Sequence, residues 1–94
     1  MVKITWTKLA LNDLDSIYEF IAKDSENFAI KVVEKIISRV ADLNKLPLLG
    51  RVVPEFNDVT VRELIEGNYR IVYRVMKTSL SILRVHHTSR LLKK

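Results

Sequence analysis

The residues best equipped for chemistry on a phosphate sit in the last third of the chain. Arg70 and Arg74 lie four apart in one alternating segment, Arg84 and His86 two apart in the next, and His87 follows directly. A step of two along a strand returns to the same face. If Tyr69, Ile71, Tyr73 and Val75 point inward, Arg70 and Arg74 point outward. With Leu83 and Val85 as the inward pair of the last strand, Ile82, Arg84 and His86 share that outer face, and His87 falls on the inner side or at the strand end. A slip of one residue would exchange His86 and His87. Metal-free cleavage of RNA needs a base for the 2′-hydroxyl, cations for the extra charge of the pentavalent phosphorane, and an acid for the leaving 5′-oxygen. Arginine suits the middle role, because its planar fork gives two hydrogen bonds to phosphate oxygens and keeps its charge. Arg70 is the first choice, Arg84 its neighbour across the paired strands, and His86 an acid that titrates near neutral pH. The plainer reading, solvated arginines and structural histidines, stays open. Adjacent histidines on a strand point to opposite faces and cannot chelate one metal without a bulge. The expectation is therefore no metal and no cofactor; a Gly-rich phosphate loop and Ser or Cys nucleophile motifs are also missing.

These residues need a scaffold to hold them, and the hydropathy pattern supplies one. Val2, Ile4 and Trp6 alternate with Lys3 and Thr5, which predicts a first strand over Val2–Trp6. Thr7 then caps a helix with Ala10, Leu14, Ile17, Tyr18 and Ile21 on one side. A second helix starts at Asp24 or Ser25, with Glu26 in its first turn. Its apolar stripe is Phe28, Val32, Val33, Ile36, Ile37, Val40 and Leu43, and Pro47 ends it. The short link makes the pair an antiparallel hairpin. Leu46–Asp58, with both prolines and Gly50, reads as a long loop. Alternation returns with Val59, Val61 and Leu64, continues through Tyr69–Val75 after a Gly67-Asn68 turn, and ends in a last strand over Leu80–His87. The order strand, helix, helix, strand, strand, strand predicts an α+β domain, with the hairpin packed on one face of a mostly antiparallel sheet. Trp6, Tyr69 and Tyr73 fall in register with apolar neighbours and read as core.

The 94 residues are 48% hydrophobic and 29% charged, with two Gly and two Pro. That composition fits one compact domain over residues 1–94 and excludes a disordered or loop-dominated chain. Cysteine is absent, which removes disulfides and thiolate chemistry and fits a reducing compartment. No apolar run approaches the roughly 20 residues of a spanning helix. The expectation is a soluble cytoplasmic protein without membrane contact. Charge is distributed unevenly. Residues 1–47 balance seven basic against seven acidic side chains, whereas residues 68–94 hold seven basic and no acidic ones. Such a one-sided field draws a polyanion or an acidic protein.

The chain resembles the RelE/ParE family of bacterial and archaeal type II toxins. The matching pieces are Ala10-x-x-Asp13-Leu14-x-x-Ile17, Pro47-Leu48-Leu49-Gly50-Arg51 with Pro54-Glu55, Arg62-Glu63-Leu64, Tyr69-Arg70-Ile71-Val72-Tyr73, and Ile82-Leu83-Arg84-Val85-His86-His87 with Arg90. The resemblance implies a toxin restrained by a cognate antitoxin. In one branch, similar to RelE and YoeB, such toxins cleave messenger RNA on the ribosome; in the other, similar to ParE, they inhibit DNA gyrase without catalysis. The strand holding Arg70 looks like the nuclease branch, and the Pro-Leu-Leu-Gly-Arg loop and His87-x-x-Arg90 ending look like the ParE-type and plasmid-stabilisation members. Where RelE relies on lysines this chain has Thr60, Arg62 and Glu63, so a YoeB-like scheme is the nuclease model that fits. In it Glu55 takes the place of the catalytic glutamate as base, beside Arg70, Arg84 and His86, and the first expectation is a metal-independent endoribonuclease. Arg51, Arg62, Arg74, His87, Arg90, Lys93 and Lys94 would meet nucleic acid, target or antitoxin. The basic end calls for an antitoxin with an acidic segment that folds on binding.

Overall fold

A computed structural model describes residues 1–89. Strand β1 (Lys3–Trp6) leads into α1 (Lys8–Ala22), α2 (Glu26–Ala41) and a 3-10 turn over Asp42–Asn44. Then follow β2 (Arg51–Val52), β3 (Val61–Glu66), β4 (Tyr69–Val75) and β5 (Ser79–His87). The sheet order is β1-β5-β4-β3-β2. β1 runs parallel to β5, and the other neighbours are antiparallel.

Local chemistry sets the helix starts as the pattern predicts. The Thr7 N–H donates to Ile82 O at 3.1 Å, closing β1 against β5. Its Oγ1 accepts from Ala10 N at 3.2 Å, so one residue ends a strand and caps a helix. Of the two candidate caps for α2, Ser25 serves, accepting from Phe28 N at 3.1 Å. The helices bury Ala10, Leu14, Ile36 and Val40 on one sheet face against Leu64, Ile71, Tyr73, Leu80, Ile82 and Val85. Trp6 and Tyr69 are partly buried against this core. The apolar stripe of α2 is narrower than predicted: Ala29 is buried in it, whereas Phe28 and Ile37 stand 57% and 47% exposed. α2 stops at Ala41 and tightens into the 3-10 turn, which buries Leu43 ahead of Pro47.

Three boundaries depart from the pattern. The long loop contains β2, whose Arg51 and Val52 pair with Glu63 and Arg62; two residues are too few to show alternation. Val59 lies in a turn, 74% exposed. There Asp58 Oδ1 accepts from Thr60 N at 2.9 Å, an Asx turn that delays the strand to Val61. The third departure is a β-bulge: Val72 pairs with Arg84 but Tyr73 pairs with Ile82, leaving Leu83 as the extra residue. Ile82, expected outside, is therefore in the main core, and Leu83, expected inside, packs with Val53, Phe56, Val61 and Val72 in a second cluster. Val85 regains the inner face beyond the bulge. The second cluster also means that the face away from the helices is partly covered, since residues 53–56 of the loop fold over it. No helix among the described residues is long and apolar enough to cross a membrane.

Candidate functional site

Register places the predicted residues. Arg70 lies directly opposite His86, and Arg84 opposite Val72, so all three start from the face away from the helices. Arg74, opposite Ser81, is on that face and exposed. Arg70 and His86 are 6% and 7% exposed, which sets both inside the protein rather than on an open surface; Arg70 lies under the loop, against Glu55.

The Arg70 guanidinium is held by two carboxylates. Its Nη1 and Nη2 donate to Glu55 Oε2 and Oε1 at 2.9 and 3.0 Å, a two-pronged pair. Its Nε donates to Glu63 Oε1 at 2.6 Å. The Glu63 side chain is fully buried, and its other oxygen accepts from Arg51 Nε at 2.6 Å. The result is a chain Arg51, Glu63, Arg70, Glu55 that ties β2, β3, β4 and the loop together. Hydrogen bonding to Glu55 leads the effects that raise the Arg70 pKa further above its ordinary value, against the opposing effect of burial. Glu55 is thus beside Arg70, as expected, and is paired with it.

Arg84 goes elsewhere. Its Nε and Nη2 donate to Asp13 Oδ2 and Oδ1 at 2.9 and 3.0 Å, and Val85 N donates to the same Oδ2 at 2.8 Å. Beyond Ile82, β5 has outrun β1, and α1 uses Asp13 to take up a backbone N–H that the sheet leaves unpaired. Burial pushes the Asp13 carboxyl up, but the Arg84 and Val85 hydrogen bonds and the Arg84 charge outweigh it and hold the group below its ordinary 3.8. A carboxylate depressed on folding adds stability above its unfolded pKa, which is lost as pH falls through the folded value. Asp13→Asn is therefore expected to lower the melting temperature at pH 7 by a few degrees. The gap between variant and wild type should close below about pH 4. A gap that stays constant down to pH 2 would contradict this role.

The remaining residues separate. His87 is on the helix side, its ring edge-to-face with Tyr69 at 5.8 Å and its Nδ1 within 2.8 Å of Ser89 Oγ. Arg62 Nη1 donates to Gly50 O at 2.9 Å, and Gly50 N donates to the Tyr73 hydroxyl at 2.8 Å. Arg90, Lys93 and Lys94 lie outside the described residues. Among the described residues no group of His, Asp and Glu could hold a metal. The pattern missed Asp13 as a partner, because it reads as one more polar residue on the solvent side of α1. Glu63, to which the pattern gives no part in the chemistry, is the buried centre of the network; a carboxylate between Arg62 and Leu64 was the available signal.

Sequence and structure comparisons give a consistent relationship. The family model for the ParE toxin of the type II toxin-antitoxin system parDE matches residues 4–92. A chain from the chromosomal ParDE system of P. aeruginosa is 29% identical, with TM-score 0.77, over 93% of this chain and 96% of that one. A chain of the RelBE2 toxin-antitoxin complex of Mycobacterium tuberculosis is 26% identical, with TM-score 0.60, over 92% and 96%. A YoeB dimer from Staphylococcus aureus, 19% identical over 92% and 95% with TM-score 0.60, shares the fold. No curated protein sequence matches the chain. Matched over nearly all its length, and carrying the two-helix, five-strand architecture described above, the chain belongs to the ParE family of type II toxin-antitoxin toxins.

Proposed function

We propose that this toxin arrests growth by binding DNA gyrase rather than by cutting RNA, and that a cognate antitoxin neutralises it. One observation carries the reading: the two cations that a phosphorane would need are already committed. Arg70 lies between Glu55 and Glu63, and Arg84 lies on Asp13. A guanidinium bound by carboxylates in the ground state must first give them up to stabilise a developing charge, which removes the preorganised advantage on which such catalysis depends. The 29% identity to a ParDE chain supports the same direction. Because the relatives above come from toxin-antitoxin systems, an antitoxin is the natural partner, and the basic end of the chain favours one with an acidic segment. The competing reading has its own support, since Glu55 holds Arg70 and His86 lies opposite Arg70 across the paired strands.

The purified toxin is expected to inhibit DNA supercoiling by gyrase, to leave messenger RNA intact on programmed ribosomes, and to lose its effect when antitoxin is added. His86→Gln should keep most of that inhibition. New ribosome-dependent RNA ends with supercoiling unaffected, and abolished by His86→Gln, would overturn the proposal in favour of the nuclease.

A further inference from the structure

The segment joining the 3-10 turn to β2 puts leucines where a soluble protein has little reason to keep them. Leu46, Leu48 and Leu49 are 57%, 62% and 41% exposed within four residues. Their backbone is pinned at both ends of the segment. Leu46 N donates to Asp42 O at 3.2 Å, and Leu49 N to Leu46 O at 3.0 Å. The second bond closes a four-residue turn with Pro47 at its second position, where the ring's fixed φ favours it. Gly50 then clamps the far end: its N–H donates to the buried Tyr73 hydroxyl and its carbonyl accepts from Arg62. A Cβ at Gly50 would collide with the Glu63 carbonyl oxygen and lie 2.7 Å from the Tyr73 hydroxyl, so only glycine lets the turn seat this deeply. Apolar side chains held in water on a hydrogen-bonded turn are the signature of a contact surface, since little backbone ordering entropy is left to lose on binding.

The surroundings state what chemistry the contact must have. Lys45 is exposed immediately before the turn, and the Arg51 side chain, its Nε on Glu63, is still 68% exposed immediately after it. Arg62, beneath the turn, forms no ion pair with a carboxylate among the described residues, and its buried Nε has no hydrogen-bond partner. We infer that the Leu46–Leu49 turn is the toxin's anchor on its protein target, a preformed aliphatic knob that enters an apolar pocket rimmed by carboxylates. This rests on the reading that the toxin acts by binding a protein.

The test uses two variants of the full chain, Leu48→Ser with Leu49→Ser, and Lys45→Glu. All three side chains are exposed, so melting temperatures should stay within a few degrees of wild type. At matched expression the leucine variant is expected to lose growth arrest by at least about 10-fold, the effect of withdrawing a single aliphatic anchor. Lys45→Glu should weaken arrest less. Affinity for the antitoxin should change less than about 2-fold in both, as expected of residues outside that interface. Full toxicity of the leucine variant overturns the inference. So does a parallel loss of antitoxin binding, which would give the turn to the antitoxin, or conversion of a wild-type dimer to a monomer, which would give it to a second copy. If wild-type toxin arrests growth but leaves supercoiling untouched, the gyrase reading fails alone, and the growth comparison still reports on the turn.

Discussion

Arg70→Ala is expected to destabilise the fold by about 3–5 kcal/mol, the cost of leaving a buried charge without its partner. The charge left behind is Glu63, whose side chain is fully buried and which would retain only Arg51, a partner 68% exposed. Glu55 would lose its two-pronged partner as well, which weakens the hold of residues 53–56 on the sheet beside the Val53, Phe56, Val61, Val72 and Leu83 cluster and the Val53 N–H to Val61 O bond. Urea unfolding measures the loss directly. A double-mutant cycle with Glu63→Ala gives the sharper result: removing both charges should cost less than the two single losses added, since neither charge is then stranded. Strict additivity would mean that the network contributes nothing as a unit. This outcome changes how a toxicity assay is read. Loss of growth arrest in Arg70→Ala does not identify a catalytic arginine unless the variant is shown to be folded.

Ile36→Asp is expected to leave no folded protein at 37 °C. Ile36 is completely buried between the helices and the sheet, in the same cluster as Leu14, Val40, Leu64 and Ile71. Truncating a buried aliphatic costs about 2–5 kcal/mol, and an unpaired carboxylate in that site adds several more. The sum approaches the roughly 5–15 kcal/mol that holds a domain together. Circular dichroism should show a collapsed helical signal, and antitoxin co-expression should recover little soluble toxin. Val33→Asp, at a partly exposed position of the same helix, should be milder. A cooperative melt of the Ile36→Asp protein near the wild-type temperature would show that the α2 register is different.

Both helices and the four longer strands of this fold were legible in the chain because each is written in a local period. Thr7 and Ser25 cap where a side-chain oxygen can meet the first free backbone N–H groups. The alternation of Tyr69–Val75 sends Ile71 and Tyr73 inward and Arg70 outward, as the register shows. Pairing across distance was not legible. Asp13 and Arg84 are 71 residues apart, and nothing in either neighbourhood marks one for the other. An ion pair depends on where two elements dock, not on spacing within one. The bulge at Leu83 is of the same kind, since a single unpaired residue puts the two ends of a strand out of phase without changing its composition: Arg84, Val85 and His86 keep their expected faces, whereas Ile82 and Leu83 exchange theirs. The sequence by itself therefore determined the two helices and the four longer strands, their order and the basic character of the C-terminal part. Only tertiary structure decided that Arg70 and Arg84, alike in type and both on the outer face by register, are drawn to different carboxylates. The loop laid over the sheet brought Glu55 to one, and the edge of β5 brought Asp13 to the other.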